Sequence, residues 1–233
     1  YKRQQVLFTK LFALSQKGVY YLRLEDTDRT RLQPNSAKQM LQTLQQLYLL
    51  PDEGITLPDP FKTYDNLFGP DDFYGIYQTG NYGPYIQSQR LPLYHQHAQN
   101  LIEKKLAYWC YLSESEKQEL QEIKKVNRRP INYFQINLQK HGEERLFQPV
   151  VQGLQDPQKP VLRYRIQRNE TIVCVDELLG KSDFDLSLEE DFVILKSDGY
   201  PTYHLAHLVD DYLMETTLVL RAQEWYSSIA RHQ

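Results

Sequence analysis

The residues richest in chemistry lie at positions 20–31, YYLRLEDTDRTR. Three acids, Glu25, Asp26 and Asp28, stand among Arg23, Arg29 and Arg31, directly after an alternating Tyr/Leu run. Alternation of this kind reads as a strand. Carboxylates gathered where a strand stops must meet a cation or cap the next helix, because burying them unpaired is costly. In open α/β sheets, ligands bind at the carboxyl ends of strands. The group is therefore a candidate site, with a solvated charged turn as the plainer alternative.

Two further groups carry possible chemistry. Arg221 follows the apolar residues 218–220 and precedes Gln223, Glu224 and Trp225. At a strand end it would offer a planar, bidentate donor to a carboxylate. The Tyr203 hydroxyl would hydrogen-bond the same ligand and Trp225 would wall the site. The alternatives are that Arg221 pairs with Glu224 and that Tyr203 and Trp225 belong to the core. Lys124, Lys125, Arg128 and Arg129 form a short basic run, suited to phosphate contacts or to a solvated helix end.

These groups need elements to place them. Leu7, Phe8, Leu11, Phe12 and Leu14 mark a helix before a strand at 19–24. Ser36 with Gln39 forms a capping box for a helix through Met40, Leu41, Leu44, Leu47 and Tyr48. Residues 51–82, rich in Pro, Gly, Asp and aromatics, lack periodicity and read as an insertion. Helical spacing returns at 91–106, then a strand at 107–112, then a second capping box, Ser113 with Glu116, opening a helix to about 126. Residues 127–159 are polar, with little sign of regular structure. Strands follow at 162–166 and 171–175, joined by a turn at 168–170, with another at 192–195 and a turn at 197–199. Pro201 is expected in the first turn of a helix ending near Tyr212. Neither a GxGxxG nor a GxxxxGK[ST] loop occurs.

Composition narrows the classes. A chain of 233 residues suits one large domain or one with a sizeable insertion, and 41% hydrophobic with 24% charged residues is globular. A net charge of −3 confines any nucleic-acid contact to a local patch. No apolar run approaches a membrane span. Two cysteines, Cys110 and Cys174, make neither a disulfide framework nor a metal quartet, so no metal site is read and a reducing compartment is expected. The chain opens at Tyr1 without methionine, as a processed or truncated protein would.

Five segments in order, LRLEDTDRTR (22–31), GPYIQSQRLPLYHQHAQNLI (83–102), AYWCY (107–111), DFVILKSDGYPTYHLAHLVDDYLM (191–214) and RAQEWYSSIARH (221–232), resemble the catalytic domain of the glutamyl-tRNA synthetase family. The GPYIQSQRL wording resembles the bacterial and mitochondrial type, which makes mitochondrial residence an expectation. The resemblance implies an α/β fold, a Rossmann-like class I aminoacyl-tRNA synthetase catalytic domain with an inserted α+β acceptor-binding-like subdomain. Residues 1–80 would form its first half with the aromatic insertion 51–82, residues 81–188 the inserted subdomain, and 189–233 the second half. A parallel sheet flanked by helices is expected. The family joins glutamate to ATP as an adenylate, with Mg, and passes glutamate to the terminal ribose of tRNA. By resemblance, Glu25, Tyr203, His207 and Arg221 line the glutamate pocket, Trp225 and Tyr1 lie on the nucleotide side, and Asp28 lies near the tRNA terminus. Lys124, Lys125, Arg128 and Arg129 are the candidate tRNA contacts.

The sequence departs from the family at several points. Counting back from LEDTD without gaps puts Tyr1 on the glycine of the HIGH signature, where its ring would occupy space the nucleotide needs, and Lys2 on the last position. The chain ends at Gln233, before the KMSKS loop would begin. His207 stands where the family usually has asparagine. The inserted region lacks the YDGRCR-like segment, for which residues 127–130 are a loose substitute. Two principal readings follow. In one the chain is degenerate for ATP use and serves as a structural subunit of a larger mitochondrial assembly, docking through Phe61, Tyr64, Phe68, Phe73, Tyr74 and Tyr77. In the other it is part of an active ligase with tRNA, glutamate and ATP as partners. The substitutions at Tyr1 and His207 favour the first.

Overall fold

The protein is described by a computed structural model covering residues 2–232 apart from Asp65, Phe68, Pro70, Asp72, Arg221 and Ala222, with the side chains of Lys2, Arg3, Gln223, Glu224, Trp225 and Ser227 also set aside. The chain divides into two compact units, one of Tyr1–Arg90 with Asp210–Glu224, the other of Leu91–Val209 with Trp225–Gln233.

The first unit holds α1 (Lys2–Ser15), β1 (Tyr21–Leu22), α2 (Ser36–Gln46), β2 (Glu53–Thr56) and β3 (Tyr77–Thr79). β1 pairs in parallel with β2, placing Tyr21 opposite Glu53 and Leu22 opposite Gly54; β2 pairs antiparallel with β3. Gly54 takes φ +111°, and a Cβ there would lie 2.1 Å from the Leu22 carbonyl oxygen, so only glycine allows this approach. A parallel bridge between Leu24 and Ile86 prolongs β1. Leu41, Ile55, Ile76 and Ile86 form the centre of the core, which α2 covers with the face carrying Ala37, Leu41 and Leu44.

Three expectations change here. Residues 51–82 are not without regular structure throughout: they supply β2 and β3 near their two ends, whose short spans and Gly/Pro-rich flanks hide the strand pattern. Ser36 is the first helical residue and not the cap; Asn35 takes that place in a left-handed conformation without a side-chain cap bond. The apolar stripe of α1 is present, but Leu7, Phe8, Leu11, Phe12 and Leu14 are all exposed, and Val6 is the α1 residue that packs on this core.

The second unit holds α3 (Leu91–Glu103), β4 (Ala107–Cys110), α4 (Glu114–Asn127), α5 (Tyr133–His141), α6 (Glu143–Leu146), α7 (Val150–Gln155), β5 (Val161–Tyr164), β6 (Thr171–Asp176), β7 (Gly180–Asp185) and β8 (Phe192–Leu195), followed by α8 (Tyr203–Leu213), whose residues from Asp210 belong to the first unit. β4, β5 and β8 form an antiparallel sheet in that order. Tyr108 and Trp109 of β4 are fully buried, and α7 lies against the Trp109 indole at Gly153.

Here too the sequence misleads. Residues 127–159 contain three helices, because Asn132 caps α5 through its side chain and the polar Asn137 is buried as a structural bracket, accepting from Tyr111 N and donating to the Tyr133 carbonyl. The strand at 162–166 does not pair with the one at 171–175: β5 joins β4 and β8, whereas β6 forms a hairpin with β7. Pro201 precedes the helix and bridges back to Leu195. Among the described residues, parallel pairing is confined to the first unit, and the two sheets of the second unit are antiparallel.

The Ser113 box forms as expected. Ser113 Oγ accepts from Glu116 N at 3.3 Å and the Glu116 carboxylate accepts from Ser113 N at 2.7 Å. The Lys140 ammonium, and then these Ser113 bonds, hold the Glu116 carboxyl well below its ordinary 4.5, at about 2. A depressed folded pKa stabilises fully above about pH 4.5 and less as pH falls towards 2. Glu116→Gln is therefore expected to flatten the loss of melting temperature across that window, followed by circular dichroism. An acid limb identical to that of the parent protein would refute this.

Candidate functional site

Within the first unit, the strand end is pinned before it carries any ligand group. Leu24 N donates to the Tyr85 carbonyl at 2.9 Å, and Gln87 N donates to the Leu24 carbonyl at 3.0 Å. The three acids that follow then take three different roles. Asp26 is buried: it accepts from Ser88 N at 2.8 Å and from the Tyr74 hydroxyl at 3.0 Å. Burial first, and then the Asp26 charge, push the Tyr74 hydroxyl pKa up, so Tyr74 stays a donor. Asp26 is an anchor. Tyr74, offered above as a docking aromatic, belongs to the core, because its hydroxyl satisfies that anchor; Phe68 lies outside the described residues.

Asp28 caps the short turn Arg29–Arg31, accepting from Thr30 N and from the Thr30 hydroxyl, and pairs with Arg31 at 3.0 Å. Glu25 is exposed, and its Oε1 accepts from Arg23 Nη2 at 3.2 Å. Glu25 and Asp28 are both exposed, but Asp28 is engaged as a cap, which leaves Glu25 as the outward carboxylate next to the fixed strand end.

Sequence reasoning missed what lies beneath it. Asp210 is fully buried; it accepts hydrogen bonds from Arg90 Nε at 2.7 Å and Gln87 Nε2 at 2.8 Å, and Arg23 Nε lies 3.3 Å away as an ion pair without a hydrogen bond. Asp211 pairs with Arg23 Nη1 at 3.1 Å. Burial opposes the Arg23 charge, but Asp210 and Glu25 outweigh it and raise its pKa further, so the guanidinium stays charged. One sequence signal was available: two adjacent acids inside the apolar phrase HLVDDYLM. Carboxylates in such a setting are buried only with partners.

In the second unit, Tyr203 and His207 lie together on α8. Their rings stack at 5.1 Å and 15°, with His207 buried. His204 Nδ1 lies 3.0 Å from His232 Nε2, and the His232 ring is 5.6 Å from Tyr203. Burial, followed by the Arg231 charge, lowers the His204 pKa. The substituted His207 is thus packed flat against the tyrosine whose hydroxyl the sequence singled out. Of the basic run, Lys124 pairs with Glu190 at 3.0 Å and Lys125 with Glu122 at 2.6 Å, both in the last turn of α4, where cations suit the helix dipole. Arg128 closes that helix in a left-handed conformation, and it and Arg129 are exposed. Arg221, Tyr1 and the Trp225 side chain lie outside the described residues, so the expected strand end at Arg221 is not described either. Among the described residues, no three His, Cys, Asp or Glu side chains are grouped to hold a metal ion, and no helix is long and apolar enough to cross a membrane.

The arrangement matches known proteins along almost its whole length. The family of class I tRNA synthetases for glutamate and glutamine, catalytic domain, matches residues 2–233. The chain belongs to that family. Its curated relatives include glutamate–tRNA ligases of Borreliella burgdorferi, 37% identical over 227 residues, and of Clostridioides difficile, 33% identical over 226, each covering 97% of this chain. Among solved structures, the glutamate tRNA ligase of Elizabethkingia meningosepticum in complex with its amino acid superposes with a TM-score of 0.73 at 26% identity, covering 98% of this chain and 42% of that one. The α/β class I catalytic-domain fold follows. The chain spans about two fifths of the length of the relatives it matches (41% and 42%).

Proposed function

We propose that this chain is catalytic-domain sequence of an active glutamate–tRNA ligase, which joins glutamate to ATP and transfers it to tRNA. One observation carries the reading: an exposed carboxylate, Glu25, stands at a strand end and is held by an arginine that is also paired with the buried Asp210 and the partly exposed Asp211. In this role Glu25 takes the α-ammonium of glutamate and Arg221 grips its side-chain carboxylate. The glutamate α-carboxylate attacks the α-phosphorus of ATP and pyrophosphate leaves; the tRNA ribose hydroxyl then attacks the adenylate carbonyl, and AMP leaves as the hydroxyl proton is lost. Arg128 and Arg129, exposed past the end of α4, are the better placed of the four cations for tRNA phosphates.

The relatives compared are ligases by name, which supports reading the chain within that activity. The docking surface expected of a subunit is also thinner: Tyr74 is core, while Phe61 and Phe73 remain exposed.

The test is pyrophosphate exchange by the full-length protein with glutamate, ATP and tRNA. Exchange that requires glutamate is expected; none with all three present would overturn the assignment. Glu25→Gln is expected to raise the glutamate KM by about tenfold to a hundredfold, the worth of a charge-assisted contact, with the ATP KM little changed. An unaltered glutamate KM would remove Glu25 from the site.

A further inference from the structure

Arg23 turns three edges to three carboxylates. Its Nε faces Asp210 Oδ2 at 3.3 Å, Nη1 donates to Asp211 Oδ1 at 3.1 Å, and Nη2 donates to Glu25 Oε1 at 3.2 Å. Asp210 is gripped from elsewhere by Arg90 Nε and Gln87 Nε2, and Arg90 Nη1 is itself tied to the carbonyls of Tyr82 at 3.1 Å and Pro84 at 2.9 Å. The Nε contact is an ion pair and not a hydrogen bond, so the Nη1–Asp211 bond and the buried Asp210 charge together set the direction in which the rigid, planar guanidinium presents Nη2.

We propose that Arg23 is a positioning residue for an amino-acid ligand: it holds Glu25 through Oε1 so that the carboxylate meets the ligand's ammonium group. The proposal rests on the glutamate-binding reading above. Two features separate it from a plain surface ion pair. Arg23 is nearly buried whereas Glu25 is about half exposed, so the cation is the fixed member and the carboxylate the presented one. The Arg23 charge is also shared with Asp210 and Asp211, so the pairing with Glu25 does not cancel the negative charge an ammonium would seek. A lysine has a point charge and no fork, and cannot hold three separate carboxylates in one plane.

The experiment compares full-length parent protein with Arg23→Lys, Glu25→Gln and the double variant in pyrophosphate exchange. It measures KM for glutamate and ATP, and inhibition by glutarate, the dicarboxylate lacking the ammonium. Arg23→Lys should raise the glutamate KM by about tenfold. It should leave the ATP KM and glutarate inhibition within about twofold, and the double variant should bind glutamate no worse than Glu25→Gln alone. Equal weakening for glutamate, ATP and glutarate, or none, would overturn the proposal and reduce Arg23 to a structural residue. If Arg23→Lys gives no cooperative melt, Asp211→Asn, which frees one edge of the clamp, takes its place: a glutamate-only rise of about threefold supports the proposal and an unchanged KM overturns it. Parent protein without glutamate-dependent exchange would sink the ligase reading and this proposal together; exchange that Arg23→Lys leaves untouched sinks this proposal alone.

Discussion

Asp210→Ala is expected to destabilise the protein by about 3–5 kcal/mol, the usual cost of stripping one partner from a buried ion pair. Asp210 is fully buried and is the meeting point of Arg23, Arg90 and Gln87. Removing its carboxylate leaves the Arg90 guanidinium, itself 2% exposed, next to a cavity with an uncompensated charge. Asp211→Ala is the internal comparison: its side chain is 18% exposed and pairs with Arg23 at 3.1 Å, so about 1 kcal/mol is expected. Urea unfolding monitored by far-ultraviolet circular dichroism measures both. A loss below about 1 kcal/mol at Asp210 would show that the cluster relaxes and that its burial carries little energy.

Gly153→Ala sets two effects of opposite sign against each other. Alanine in a helix is favoured over glycine by about 1 kcal/mol. At this position, however, a Cβ would lie 2.0 Å from Trp109 Cε2 and 2.5 Å from its Nε1. The indole cannot swing clear: Trp109 is fully buried in β4 and its Nε1 donates to the Gln148 carbonyl at 3.0 Å. Overpacking a rigid ring costs about 3 kcal/mol at the top of the usual range, so packing wins over propensity by about 2 kcal/mol. That corresponds to a fall in melting temperature of roughly 4–8 °C for a chain of this size. Val151→Ala, on the same helix and exposed, should shift it far less. A Gly153→Ala protein melting as high as the parent would mean that α7 can lift off the indole freely.

What the sequence made legible was local. α3, β4 and α4 repeat their own period, and the Ser113–Glu116 box needs only three residues of separation to declare itself. β7, GKSDFD, was invisible because its residues have little strand preference and are held by the pairing with β6. α5 was hidden by a buried asparagine that reads as surface. The same divide runs through the site. The exposed carboxylate at position 25 was readable from the end of an alternating run. The distinction between Glu25 and its neighbour Asp26 was not, since it depends on Tyr74 and Ser88, tens of residues away. Nor could Arg90 and Asp210 be paired across 120 positions without the fold.

The division of the first unit between Tyr1–Arg90 and Asp210–Glu224 bears on how the protein is made. Residues 91–209, 119 of them (209 − 91 + 1), leave the ribosome between the two parts. At ordinary translation speeds the nascent chain waits about 6–24 s with its arginine side chains in place and their buried aspartate not yet synthesised. Most of the second unit is therefore made before that aspartate, while its last segment, Trp225–Gln233, follows it. The strand end that bears Glu25 gains its final rigidity only when the late carboxylate arrives, so that exposed acid is among the last parts of the unit to be set.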